Sequence, residues 1–196
     1  AVALANNIGY PVAVKICSAD ISHKTDIGGV VLNLESGEKV RSAFATVVDN
    51  ARTRCPGARI DGATLQPMVS DVSYELIAGI KKDRDFGPVL LFGLGGILTE
   101  IVNDCAMSLP PLNRLLARRL IESTRIARVL RGYRNLAPVD MAALEDVLIG
   151  LSQLAVDFAE IAELDINPLA VGKERMLALD ARVILGPAEI AAPMHM

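Results

Sequence analysis

Apolar and polar positions divide the chain into short strand-like runs in its first half and long helical stripes in its second. Residues 1–9 read as the end of a helix broken at Gly9-Tyr10-Pro11, since proline cannot continue a helix. Residues 12–16 form a short apolar strand that delivers Lys15, and a polar loop over 17–29 leads to a second strand at 30–34. Ser36-Gly37-Glu38 turns into an amphipathic helix over about 39–52, with Val40, Phe44, Val47 and Val48 on one face. After the Cys55-Pro56-Gly57 break come strands at 63–68, 74–81, 89–92 and 97–102, the last two separated by Gly93-Leu94-Gly95-Gly96. Helical character then runs over 113–130 and 140–161, the latter opening with Asp140 as N-cap after Pro138. Strands return at 164–171 and 176–183. The order β-β-α-β-β-β-α-α-β-β predicts an α+β, mixed α/β fold instead of a regular alternating barrel. No internal repeat and no low-complexity tract breaks it up.

Composition removes several function classes. At 196 residues and 52% apolar, the chain can bury a substantial core as one domain or two closely packed subdomains. No apolar run reaches the roughly eighteen residues of a membrane span, and the N-terminus lacks a secretory pattern, so the expectation is a cytoplasmic protein without membrane contact. A net charge of -3, scattered Lys and Arg, and only 4% aromatic residues argue against nucleic acid. Cys17, Cys55 and Cys105 lie far apart without metal-ligand spacing and read as buried or half-buried thiols. The abrupt start at Ala-Val-Ala-Leu-Ala reads as a fragment of a larger polypeptide.

The candidate chemistry sits at the two ends. Near the start, Tyr10-Pro11-Val12-Ala13-Val14-Lys15 presents a point charge suited to phosphate oxygens. Near the finish, Asn167 and Asp180 supply two oxygen-bearing side chains thirteen residues apart, Asn167 before a proline and Asp180 within an apolar strand-like stretch. Magnesium prefers one or two such ligands plus waters and substrate phosphates. Together these features point to a triphosphate and its magnesium. Gly93-Leu94-Gly95-Gly96 invites a dinucleotide reading, but that fingerprint needs its third glycine to open a helix, whereas 97–102 reads as a strand. A tight turn and a turn that carries Glu100 into a site are the two readings. His23 lies in the polar loop Ser22-His23-Lys24-Thr25-Asp26-Ile27-Gly28-Gly29; it is either an ordinary loop residue or a nucleophile towards phosphorus. His195 belongs to a tail over 187–196. Glu75, in a strand-like segment, faces either solvent or a cleft.

These residues resemble the nucleotide-binding β part of the NDP-forming acyl-CoA synthetases, ADP-forming acetate–CoA ligases related to succinyl-CoA synthetase, with an ATP-grasp fold. The resemblance runs from Gly9 to about Leu185. It is carried by Gly9-Tyr10-Pro11-Val12 with Lys15, His23-Lys24-Thr25-Asp26-Ile27-Gly28-Gly29-Val30, Leu65-Gln66-Pro67-Met68, Phe86-Gly87-Pro88 with Gly93-Leu94-Gly95-Gly96-Ile97, Arg131-Gly132-Tyr133-Arg134, and Glu163-Leu164-Asp165-Ile166-Asn167-Pro168-Leu169 with Leu179-Asp180-Ala181-Arg182. It implies an N-terminally incomplete ATP-grasp domain, with 1–70 as part of a first subdomain and 71–186 as the nucleotide- and metal-binding one.

The resemblance further implies ATP or ADP as substrate and Mg2+ as cofactor. Lys15 would contact phosphate, Gln66, Pro67, Met68 and Val69 would form the hinge against which adenine packs, Glu75 would lie on the nucleotide face, and Asn167 and Asp180 would hold the metal. A phosphoryl group would pass between an acyl phosphate and the nucleotide by way of phosphohistidine, with His23 as the β-side relay and Asp165 as its acidic partner. The CoA-binding α module would be the partner. Two departures matter: Ser108 stands where many members carry an arginine, and the sequence is expected to lack the first forty or so residues the family usually carries together with the CoA-binding α module. Similar regions also occur as non-catalytic ligand-sensing modules of protein acetyltransferases, and a degenerate site with Ser108 would suit that alternative.

Overall fold

The computed structural model describes residues 1–96, 102–134, 136–173 and 175–186. The strand expected over 97–102, save Val102, lies outside these residues, as do Glu100, His195 and the tail 187–196. The chain divides into two compact units, Ala1–Ser70 and Asp71–Met196.

In the first unit, α1 (Val2–Ile8) and α2 (Gly37–Arg54) pack with a three-stranded antiparallel sheet of order β2-β1-β3, formed by β1 (Val12–Cys17), β2 (Val30–Leu34) and β3 (Gly62–Pro67). Alternation along β1 puts Val12, Val14 and Ile16 into the core and leaves Lys15 for the other face. The Ser36 side chain accepts from Lys39 N–H and starts α2. The buried stripe of α2 is Val40, Ala43, Val47 and Ala51, whereas Phe44 is exposed. Small alanines let the helix sit close to the sheet, and the bulkier Phe44 is left at the edge.

The second unit holds a six-stranded antiparallel sheet. Its path is β6-β5-β4-β7-β8, with a further strand, β9, also pairing to β7. The strands are β4 (Tyr74–Asp83), β5 (Gly87–Leu94), β6 (Cys105–Ser108), β7 (Ile161–Val171), β8 (Met176–Ala178) and β9 (Ala181–Leu185). Leu76, Ala78 and Ile80 of β4, with Leu90 and Phe92 of β5, meet the apolar faces of α3 (Arg114–Glu122), α4 (Ala127–Leu130) and α5 (Met141–Asp157). The Tyr74 hydroxyl reaches over to donate to the Val129 carbonyl at 3.0 Å.

Four sequence expectations change here. The helix expected over 113–130 is broken after Glu122, where the buried Asp104 carboxylate accepts from the N–H groups of Arg125 and Ile126, both at 2.7 Å, and thereby starts a new turn. The helix expected to reach 161 stops at Asp157, because Ile161 already pairs with β9. The strand expected over 176–183 is two strands with Asp180 between them, so this aspartate is not a strand residue. Cys105 is exposed, while Cys17 and Cys55 are half-buried as expected. Asp140 does cap α5, accepting from Ala143 N–H at 3.0 Å.

Arginine is also less scattered than composition suggests. Seven fall between 114 and 134, and four of them are tied to carboxylates: Arg114 and Arg118 to Glu145, Arg114 also to Asp146, Arg125 to Asp104 and Arg131 to Glu122. Glu145 is 1% exposed, with Arg118 Nε at 2.7 Å and Arg114 Nη1 at 3.2 Å. Arg118, with help from Arg114, holds its carboxyl below the usual carboxylate range against burial, which pulls the other way. A carboxyl held low when folded contributes stability above its unfolded titration range and loses it as pH falls. Glu145→Gln should therefore lower Tm at neutral pH by about 5 °C. The difference should begin to shrink as pH falls below the unfolded carboxyl's value of about 4.3 and keep shrinking at lower pH; thermal scans across pH that stay parallel would contradict the ion pair's contribution.

Candidate functional site

On the first unit, the face of the sheet away from the helices gathers Lys15 and Gln66. Lys15 pairs with Thr64 and Ala13 with Gln66 across β1 and β3, and directly paired residues share a face. Two residues along a strand span about 7 Å, so the half-buried Lys15 and the exposed Gln66 occupy one surface. Pro67 ends β3, and Met68 N–H donates to the Pro11 carbonyl at 2.9 Å. Half-buried Met68 and Val69 then lead to the end of the unit at Ser70. His23 is exposed in the loop joining β1 to β2.

On the second unit, Glu75, Asn167 and Asp180 are brought to one place. Leu76 faces the core, so Glu75 faces the opposite side of β4. Pairing of β4 with β7 is regular up to Ala78 and Ile166 and resumes at Leu76 and Leu169. The extra residue is accommodated at Asn167-Pro168, whose peptide bond is cis. There the Asn167 Oδ1 accepts from Gly96 N–H at 3.0 Å, and Asn167 N–H donates to the Asp180 carbonyl at 3.2 Å. Leu179 N–H donates to the Pro168 carbonyl at 3.0 Å and fixes the turn that carries Asp180.

Gly96 is needed where it is. Its φ is +73°, and a Cβ there would overlap the Glu75 carboxylate oxygen Oε2. The glycine turn after β5 is thus gripped by Glu75 on one side and Asn167 on the other. Gly96→Ala is expected to destabilise the second unit by about 1–2 kcal/mol from its left-handed backbone. The exposed Glu75 can swing aside, so adding Glu75→Ala should recover only the steric part. Urea unfolding of the two variants separates these contributions.

Asp165 pairs with Gly79 on β4 and with Arg182 on β9, which puts it on the same face of the sheet as Glu75. Ser108 is on the other side. It pairs with the buried Leu90, and its strand neighbour Ala106 packs on the helix-covered core, while Met107 between them is exposed. Ser108 therefore does not share the face of Glu75 and Asp165.

The donor set suits a hard cation. Asp180 offers a carboxylate and Asn167 an amide oxygen, and an amide oxygen carries two lone pairs, one of them used by Gly96 N–H. Among the described residues no group of three or more His, Cys, Asp or Glu is disposed to hold a metal by itself. Two protein oxygens completed by phosphates and waters match how magnesium is bound. Sequence reasoning did not foresee that Asn167 anchors the glycine turn; proline at 168 was the available signal of broken pairing.

Residues 1–185 match the ATP-grasp domain family. The chain is 39% identical over 93% of its length to ADP-forming acetate–CoA ligase I of Archaeoglobus fulgidus, spanning 26% of that protein. It is 39% identical over 94% of its length to the β subunit of ADP-forming acetate–CoA ligase I of Pyrococcus furiosus, spanning 79% of that subunit. The dinucleotide-forming acetyl-coenzyme A synthetase 1 of Ca. Korarchaeum cryptofilum superposes with a TM-score of 0.89 at 38% identity, covering 95% of this chain and 81% of that one, in a complex with coenzyme A and Ca-AMPCP. A second structure of that enzyme, with coenzyme A and Mg-AMPPCP and its phosphohistidine segment pointing towards the nucleotide binding site, gives 0.79 at 35% identity, with coverages of 95% and 81%. The chain thus spans about a quarter of the single-chain ligase and about four-fifths of the separate β subunit. Among the described residues no helix is long and apolar enough to cross a membrane.

Proposed function

The chain belongs to the ATP-grasp domain family, and from that premise we propose that it is the nucleotide-binding half of an NDP-forming acyl-CoA ligase. With a CoA-binding partner module it would carry out acyl-CoA + ADP + phosphate ⇌ carboxylic acid + CoA + ATP. The observation that carries this reading is the junction of Asn167 and Asp180, tied through the main chain beside Gly96 and Glu75, which brings together an amide and a carboxylate residue of the kind magnesium takes. Relatives named as ligase β subunits and a neighbour holding Mg-AMPPCP support it.

In this reading Lys15 binds nucleotide phosphate from its sheet face, and Gln66, Pro67, Met68 and Val69 receive the adenine. Glu75 orients the nucleotide. Magnesium held by Asn167 and Asp180 would neutralise phosphate charge as transfer proceeds. His23 carries the phosphoryl group. Its neutral imidazole attacks phosphorus of the partner-borne donor, a P–N bond forming as the donor's bond to phosphorus breaks. A β-phosphate oxygen of ADP then attacks and the P–N bond breaks, returning free imidazole and ATP. Asp165, on the second unit, is the acidic partner assigned to the relay.

Mg·ADP or Mg·ATP should raise the Tm of this chain, because a ligand that binds only the folded state stabilises it by mass action, about 2.7 kcal/mol at a hundred times Kd. Titration calorimetry with no heat at millimolar nucleotide would favour the ligand-sensing alternative.

A further inference from the structure

The loop that carries His23 is longer than a hairpin needs, yet it is held at several points of the first unit. Its ends close on themselves, with Gly28 N–H donating to the Thr25 carbonyl at 3.0 Å, Gly29 N–H to the Lys24 carbonyl at 2.7 Å and Ile16 N–H to the Gly29 carbonyl at 2.7 Å. Two side chains of α2, one turn apart, then capture carbonyl oxygens of the loop. Asn50 Nδ2 donates to Gly28 at 2.9 Å, and Arg54 Nη1 donates to Asp26 at 3.0 Å. On the entering side, the Asp20 carboxylate accepts from Arg59 N–H at 2.7 Å. Gly28 fits this clamp because its φ is +65° and a Cβ would come within 2.8 Å of Asn50 Nδ2.

We propose that Asn50 and Arg54 are positioning residues for phosphoryl transfer: by fixing the carbonyls of Gly28 and Asp26 they set where the exposed His23 is presented. The inference rests on the reading of His23 as the relay nucleophile. Residues at i and i+4 lie on one helix face, so the pair forms a rigid two-point grip on the segment that follows His23. Transfer between a donor and ADP depends on in-line geometry, which makes a small displacement of the imidazole costly in rate while leaving nucleotide contacts untouched.

The test uses the chain assembled with its CoA-binding module. Asn50→Asp keeps the shape but turns an acceptor towards the Gly28 carbonyl; it should lower kcat about tenfold to a hundredfold. KM for ADP should stay within about twofold, as for an interaction that acts on transfer and not on binding. Arg54→Ala, at an exposed position that tolerates truncation, should act in the same direction, and Arg54→Lys should restore most of the rate. Because the chain has two histidines, the ring resonances of His23 can be followed directly and should shift or broaden in Asn50→Asp. Wild-type kcat in Asn50→Asp and Arg54→Ala, alongside an inactive His23→Ala, would overturn the positioning role and leave the relay standing. A fall in kcat matched by an equal loss of ADP binding would overturn it too, by making the clamp a folding element. An active His23→Ala would remove the relay itself.

Discussion

His23→Ala is expected to abolish ATP synthesis by the assembled ligase, lowering kcat by about three orders of magnitude or more, while nucleotide affinity and Tm stay at wild-type values. The separation follows from where the residue sits. His23 is exposed on the β1–β2 loop, so removing its ring opens no cavity. The loop's grip comes from Asn50, Arg54 and Asp20, none of which needs the imidazole. Lys15 and Gln66, assigned to the nucleotide, stand on the sheet face. On the proposed relay the imidazole acts only when phosphorus is transferred. Steady-state assays with acyl-CoA, ADP and phosphate read the loss, and calorimetry reads the unchanged nucleotide binding. An alanine variant with unimpaired synthesis leaves His23 an ordinary loop residue.

The second large effect concerns the metal. Asp180→Ala should remove the magnesium-dependent part of the nucleotide-induced Tm shift and leave the magnesium-free part in place. Asp180 is a cleaner probe than Asn167. The Asn167 side chain also holds Gly96 N–H, so its truncation would loosen the glycine turn as well as remove a ligand. The bond from Asn167 N–H to Asp180 is to its main-chain carbonyl, which alanine keeps. Asp180→Asn, which keeps one oxygen donor but loses the charge, should fall between wild type and alanine. Thermal scans with ADP, with and without magnesium, distinguish the three. A full magnesium effect in Asp180→Ala would place the cation elsewhere.

Much of the fold was legible because the first unit is built from local patterns. Alternation in β1, the Ser36 cap and the 3.6-residue stripe of α2 each act within a few residues, and they put β1, β2 and α2 where periodicity predicts. The misreadings came from long-range partners. Asp104 breaks the 113–130 helix from about twenty residues away, and nothing near Ser123 in the sequence announces it. β6 is short and borrows its order from β5, so its four residues lack a period of their own. The Asp180 turn depends on Leu179 N–H reaching Pro168 across β7.

The site was legible in kind but not in arrangement. Lysine, amide and carboxylate types point to phosphate and magnesium without a fold. That Asn167 and Glu75 grip Gly96, and that Ser108 stands on the opposite face of the sheet, depends on strand register. Register in turn is set by core packing over the whole sheet.

The most direct test of the central claim, that this chain passes a phosphoryl group through His23 to a magnesium nucleotide, is to trap the intermediate. Incubating the assembled ligase with ATP labelled at its γ-phosphate and magnesium, then quenching in alkali, should leave label on this chain in an acid-labile, alkali-stable form, mapped by mass spectrometry to His23, absent in His23→Ala and discharged by ADP. Label that resists acid, maps to another residue or persists in His23→Ala would contradict the account.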